Sequence, residues 1–436
     1  MNDMVIKKFR LEDLNPAKYN PRKKLKPGDK EFEKLENSIR NFGYVELIVV
    51  NVANNNTVIS GHQRLSVLKH LGETEAECVV VELNENEEKA LNIAMNKVSG
   101  QWDETLLAQL LSELKEADFN VDLTGFEPPE MDQLMSKLYD KEVKEDDFDV
   151  EEELKQPVFS KPGDLWLIGK HRVICGDCTL REVHDRVMDG DKANLVMTDP
   201  PYNVNYGDKS EMLDDYIGGA RNNNHILNDN MSDQDFHKFL VDAYTQMHDS
   251  LAKDGSIYVF HAETEGVNFR TAFIEAGFKL SSCCIWKKNS LVLGRSPYQW
   301  IHEPCLYGWR ADGTHQWYSD RKQTTVWEYD RPKANKEHPT MKPIQLLAYP
   351  IRNSTMTNGI VLDPFLGSGS TMVACMETDR ICRGIELDPK FVDVIVKRAI
   401  DWNNGRYDDI FVIRDGQKLT FDEVVTFEAE EAQDGE

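Results

Sequence analysis

Beyond residue 157 the chain alternates short apolar runs with amphipathic stretches of helical period, and few architectures accept that pattern. NLVMT (194–198), GSIYVFH (255–261), KLSSCCIW (279–286), GIVLD (359–363) and RICRGIEL (380–387) read as strands. DQDFHKFLVDAYTQMHDSL, EGVNFRTAFIEAGF, PIQLLAYPIRNS, GSTMVACMETD and PKFVDVIVKRAIDW, which separate or follow them, read as helices, the third interrupted at Pro350. DLWLIGKHRVICGD, ahead of them, reads as paired strands. Strand and helix in repeated succession predict an α/β domain with a doubly wound, mainly parallel, Rossmann-like sheet.

In such a sheet ligands bind beyond the carboxyl ends of the strands. NLVMT ends there in Asp199, Pro200, Pro201 and Tyr202, and the prolines prevent the strand from continuing. GIVLD ends at Asp363 and enters a turn carrying Gly367 and Gly369, where the backbone can approach a ligand closely. The next strand ends at Glu386, an acid placed for a ribose diol. The dinucleotide fingerprint fails because Met372 stands where its third glycine belongs, and no lysine follows the glycines as a triphosphate loop requires.

Ahead of this region the acidic run YDKEVKEDDFDVEEELK (139–155) holds nine acids against three lysines and reads as a solvated, mobile boundary; FEAEEAQDGE at the end reads likewise. The N-terminal stretch has its own pattern, with strands at ELIVVN and AECVVVEL. NTVISGHQRLSVLKHLG reads as a strand and a loop opening a helix, and ENEEKALNIAMNKV and DETLLAQLLSELKEA as further helices. A smaller α+β domain over 1–100 is therefore expected. A helical segment and acidic linker (101–156), the α/β domain (157–425) and an acidic tail (426–436) follow it. No apolar run is long enough to span a membrane, and the eight scattered cysteines imply no disulfide framework, so a cytoplasmic setting is expected. Cys175 and Cys178 form a lone C-x-x-C pair; without a second pair no metal site is expected.

DPPY, DPFLGSGS and HPTMKP (338–343) together resemble the motifs of the amino-group DNA methyltransferases that use S-adenosylmethionine. The DPPY motif precedes the cofactor motif, the order of the beta class. The resemblance implies cofactor contacts from Asp177, His338, Thr340, Lys342, Phe365, Ser368 and Asp388 beside Asp363, Gly367, Gly369 and Glu386. It also implies double-stranded DNA as substrate, a place in restriction-modification, and a homodimer, common in that class. An exocyclic amine is a poor nucleophile because its lone pair is delocalised. The Asp199 carboxylate and Pro200 carbonyl can accept its hydrogen bonds, stiffened by the adjoining Pro201, while Tyr202 offers a stacking face to an extruded base and Asn203 shapes its pocket. DPPY favours adenine N6 over cytosine N4, although both amines need similar acceptors. The absence of a Pro-Cys pair in catalytic position speaks against ring-carbon methylation.

The stretch 287–337 holds nine Lys/Arg against six acids, interleaved with Trp300, Trp309, Trp317, Trp327 and four tyrosines. This is the composition of a DNA-reading surface, even in a chain of net charge −25. Lys287, Lys288, Arg295, Arg321 and Lys322 are the expected phosphate contacts. A second insertion (207–225), rich in glycine and asparagine, reads as a loop that orders on DNA or cofactor. The N-terminal domain resembles the ParB/sulfiredoxin family through VISGHQRLSVLKHLG. Gly61, His62 and Arg64 form its expected anion loop, with nucleotide binding, DNA contact and nuclease activity all open. The competing reading of the whole chain is a non-catalytic ParB-like DNA-binding or regulatory protein.

Overall fold

The computed structural model describes residues 4–22, 24–96, 104–117, 119–126, 130, 134, 143–203, 230–292, 297–330 and 341–426. The chain divides into two compact units, 1–140 and 141–436.

The first unit holds a mixed sheet of β1 (Val5–Arg10), β2 (Asn15–Pro16), β3 (Ile48–Asn51), β4 (Thr57–Ser60) and β5 (Glu75–Val81), in the order β1-β5-β3-β4-β2. Ile48, Val50, Val58 and Cys78 are fully buried and pack with Leu65 and Leu68 of the helix His62–His70. A separate cluster joins Ala90 and Ile93 of the helix Glu85–Asn96 to the leucine face of Glu104–Glu116.

The second unit is built on one sheet. Its strands are β6 (Leu165–Ile168), β7 (His171–Cys175), β8 (Ala193–Thr198), β9 (Leu251–Phe260), β10 (Phe278–Val292), β11 (Trp300–Arg310), β12 (Val326–Glu328), β13 (Ile360–Asp363), β14 (Ile381–Glu386), β15 (Ile410–Arg414) and β16 (Gln417–Thr420). Among the described residues their order is β12-β10-β11-β9-β8-β13-β14-β7-β6-β15-β16. The centre, β9-β8-β13-β14-β7, is parallel. The flanks differ from the mainly parallel expectation, because β11 runs antiparallel to β9 and β10 to β11, while β6 opposes β7 and β15. Residues alternate between the two buried faces of the central strands: Leu195 and Met197 enter one core, Val196 the other. Helices cover both faces, Ile344–Ser354, Ser370–Glu377 and Pro389–Trp402 on the first, Asp233–Ser250 and Gly266–Glu275 on the second.

Two expectations are corrected. Pro350 does not interrupt its helix; it lies buried within Ile344–Ser354, whose hydrophobic face holds the last turns in place. The acidic run is also not solvated throughout, since Val143 and Val150 are buried and several of its acids find partners on this unit. Glu145 accepts from the N–H groups of Ile344 (2.9 Å) and Gln345 (3.0 Å), Asp146 grips Arg398 with both oxygens (2.5 and 2.9 Å), and Glu153 pairs with Lys397. Free helix N–H groups and buried cations make these carboxylates structural.

Candidate active site

The parallel centre delivers five polar residues to one edge: Asp177 after β7, Asp199 after β8, His261 after β9, and Asp363 and Glu386 ending β13 and β14. Asp199 is part of a charged cluster. Its Oδ1 accepts from the Tyr202 hydroxyl at 2.5 Å and its Oδ2 from the Lys342 ammonium at 2.5 Å. Lys342 also lies 3.2 Å from Glu303, whose other oxygen takes the ammonium of Lys288. The side chains of Lys288, Lys342 and Glu303 are 4, 6 and 17% exposed, that of Asp199 27%, so the cluster opens to solvent through Asp199.

Burial raises the carboxyl of Asp199 above its ordinary range, opposed by Lys342 and reinforced by the negative Glu303. Burial pushes Glu303 in the same direction, but the two ammonium groups hold it down to about 2. The Tyr202 hydroxyl is raised well above its usual value by burial and by Asp199, and is therefore a proton-bearing donor. The Tyr202 ring stands edge-on to Phe269, with centroids 6.3 Å apart, and Lys342 lies over its face at 5.5 Å. Pro200 is buried and Pro201 half-buried. Asn203 takes a left-handed backbone (φ 54°) and its amide is tied to the backbone of Met231 at 2.6 and 3.1 Å.

The glycine turn lies alongside. Gly367 has φ 53° and open space where a Cβ would stand, while a Cβ on Gly369 (φ 87°) would press on Ile395 at 3.1 Å. Glu386 accepts from the N–H groups of Gly367 (2.8 Å) and Asp388 (2.9 Å), and burial raises its carboxyl to about 7. Asp388 caps the helix Pro389–Trp402 through Lys390 N–H, and Asp177 accepts from Thr179. Phe365 is half-buried against the second core. Arg398 donates to Ser368 O (2.9 Å), and so joins the turn to Asp146 of the acidic run.

Asp363 faces inward. It is 3% exposed, its oxygens accepting from Thr198 Oγ1 (2.9 Å), Thr371 Oγ1 (2.6 Å) and the Phe365 N–H (3.1 Å). Its hydrogen bonds tie the residue before Asp199 to the turn. Thr198, Thr371, Lys288 as a site residue and Glu303 all escaped the sequence reading. Glu303 escaped it for a topological reason: β11 is antiparallel, so the start of that strand lies at the edge where its neighbours end.

Of the expected DNA contacts, Lys287 is exposed and bonded to Glu328 (2.7 Å), and Arg321 and Lys322 are exposed in the segment before β12. Lys288 is corrected: strand alternation turns it inward, to Glu303. Trp300 is 42% exposed, whereas Trp327 is core. Arg295, His338, Thr340 and the insertion 207–225 lie outside the described residues. In the first unit, Gly61 (φ 94°) opens the helix His62–His70 with no room for a Cβ, which would stand 2.9 Å from Ile48. Arg64 is ion-paired with Glu46, and His62 Nε2 accepts from Ala17 N–H. Burial and the nearby Arg22 lower that imidazole to about 4, leaving it neutral.

Comparison with known proteins gives three family matches. Residues 193–397 match a family described as DNA methylase, 105–162 the ParB-methyltransferase HTH domain, and 2–97 the ParB N-terminal domain. A relative named "Putative methylase YubD", from Escherichia coli (strain K12), is 30% identical over 219 residues, 50% of this chain and 84% of the relative. The type II methyltransferase M2.MboI of Moraxella bovis is 24% identical, covering 47% of this chain and 80% of its own. Among solved structures, a DNA modification methylase of Thermus thermophilus complexed with S-adenosyl-L-methionine aligns at TM-score 0.37 and 19% identity, over 53% of this chain and 93% of that one. PvuII DNA methyltransferase (cytosine-N4-specific) aligns at TM-score 0.38 and 16% identity, over 54% and 91%.

Proposed function

This chain belongs to the DNA methylase family of N6 and N4 type, with a ParB N-terminal domain ahead of the methylase region, and from that premise we propose that it methylates the exocyclic N6 of adenine in double-stranded DNA. The observation that carries the reading is the placing, on one sheet edge, of a partly exposed carboxylate in a proline-stiffened loop and an open glycine turn backed by Glu386. The residues present fit S-adenosylmethionine: Gly367 leaves space above the turn, and the Glu386 carboxylate is held at its rim for a ribose diol. Phe365, Ser368, Asp388 and Asp177 would line that site with Gly367 and Gly369. When bound, the cofactor supplies an electrophilic methyl group.

The remaining chemistry belongs to the chain. Asp199 accepts a hydrogen bond from the base's amino group through its carboxylate and Pro200 through its carbonyl, which returns lone-pair density to the nitrogen. The paired prolines hold both acceptors in place before the base arrives. Tyr202 supplies the flat face for the extruded base. Asp363 braces the two loops against each other. We assign the transfer to residues 157–425, target reading to 287–337 through Lys287, Arg321 and Lys322, and further DNA contact to the ParB-like domain.

Methyl transfer from labelled S-adenosylmethionine to unmethylated genomic DNA, followed by nucleoside analysis, tests the reading. N6-methyladenine from the wild type, and none from Asp199→Ala, is the expected result. N4-methylcytosine would keep the mechanism and change the base. No methylated base at all would overturn the reading in favour of a DNA-binding protein.

A further inference from the structure

Glu303 lies outside every motif of the sequence, yet it is the hub of the charged cluster. Both oxygens of Asp199 are engaged by the protein itself, Oδ1 by the Tyr202 hydroxyl and Oδ2 by the Lys342 ammonium. A target amino group needs one of those oxygens. The two donors share a second acceptor: Glu303 Oε2 lies 3.3 Å from the Tyr202 hydroxyl and 3.2 Å from Lys342 Nζ. Its Oε1 is anchored by Lys288, so this second acceptor is fixed in position.

We propose that Glu303, braced by Lys288, is a positioning residue for methyl transfer: it takes over the Lys342 ammonium and the Tyr202 hydroxyl as the base enters, and so frees Asp199 for the base's amino group. The proposal rests on Asp199 being the amino-group acceptor. Its physical basis is the cost of burying charge. An ammonium as enclosed as that of Lys342 cannot leave one carboxylate unless another is waiting, because an unpaired buried cation costs several kcal/mol. Two carboxylates and two ammonium groups make the cluster neutral, and the handover alters neither number. No covalent step is involved. Without Glu303, Lys342 stays on Asp199 and competes with the substrate.

Asp199 feels Lys342, which precedes the helix Ile344–Ser354, Glu303 and Cys305 on β11, Tyr202 on its own loop and Asp363 at the end of β13. Lys288 on β10 and His261 after β9 act on Glu303. Removing the negative charge of Glu303 therefore lowers the Asp199 carboxyl, since like charge raises it. Removing Lys288 leaves Glu303 more dependent on Lys342, draws that ammonium from Asp199 and moves the carboxyl upward.

The test uses the full chain, with single-turnover methylation of duplex DNA measured across pH and equilibrium binding of DNA and S-adenosylmethionine measured separately. Glu303→Gln is expected to slow turnover on the order of tenfold to a hundredfold, with both binding constants held within about twofold. The acidic limb of its rate profile should move to lower pH, and that of Lys288→Met to higher pH. Glu303→Asp should recover part of the rate. Should Glu303→Gln fail to fold, the double variant with Lys288→Met removes the carboxylate together with its brace and must show the same loss of rate. Wild-type turnover and acidic limb in Glu303→Gln would overturn the proposal while leaving the methyltransferase reading intact. A wild type that methylates nothing would overturn both.

Discussion

Two carboxylates on the same sheet edge have opposite jobs because of what surrounds them. Asp363 has no free oxygen; three donors of its own chain use its acceptors. Asp363→Ala strands two buried hydroxyls and an N–H, and is expected to cost about 3 kcal/mol in urea unfolding. Glu386 spans two backbone N–H groups at the rim of an open turn, and its carboxyl is raised to about 7 by burial. A raised carboxyl binds its proton more tightly in the folded state, so its contribution to stability is present at low pH and fades as pH rises through about 7. Ribose hydroxyls are donors and require the ionised form. Cofactor affinity should therefore rise with pH up to about 7 and level off above it, and calorimetry of Glu386→Gln should find weaker binding with that dependence gone. An equal pH slope in the variant would remove Glu386 from the site.

At the scale of elements, the acidic run is the instructive case. Nine acids in seventeen residues read as a solvated connector, and composition carries no information about where helix ends and buried cations will lie. Glu145 caps one helix, and Asp146 reaches Arg398, itself 2% exposed and bonded to the turn at Ser368. Asp146→Ala leaves that guanidinium without its counter-ion and is expected to destabilise the second unit by about 3–5 kcal/mol, read as a fall in melting temperature. A fragment beginning at residue 157 should melt below one beginning at 141. Equal melting of the two would mean that the acidic run is the tether its composition suggests. Pro350 teaches the same lesson from another side: its ring removes one helical hydrogen bond, and the burial of Ile344, Leu347 and Ile351 sustains the helix around it.

For the whole molecule, the charge of −25 and the proposed grip on a polyanion are compatible because the cations that matter are local. Arg321 and Lys322 stand exposed ahead of β12, whereas Lys288 is withdrawn into the cluster. Arg321→Ala and Lys322→Ala should each lower DNA affinity and reduce the slope of log affinity against log salt by about 1, while Lys288→Met should leave that slope unchanged. Fluorescence anisotropy over a salt series distinguishes these outcomes.

What the sequence by itself determined was local: which runs are strands, where prolines and glycines end them, and which acids stand at the carboxyl ends. Those properties depend on neighbours within a few residues, and so Asp199, Gly367 and Glu386 were legible. The flanking antiparallel strands were not, because strand direction is set by pairing between distant segments. That pairing brings Glu303 and Lys288, from strands read only as packing and DNA surface, to Asp199 and Lys342. A buried charge is tolerated only beside its opposite, and which opposites meet is decided by the tertiary structure alone.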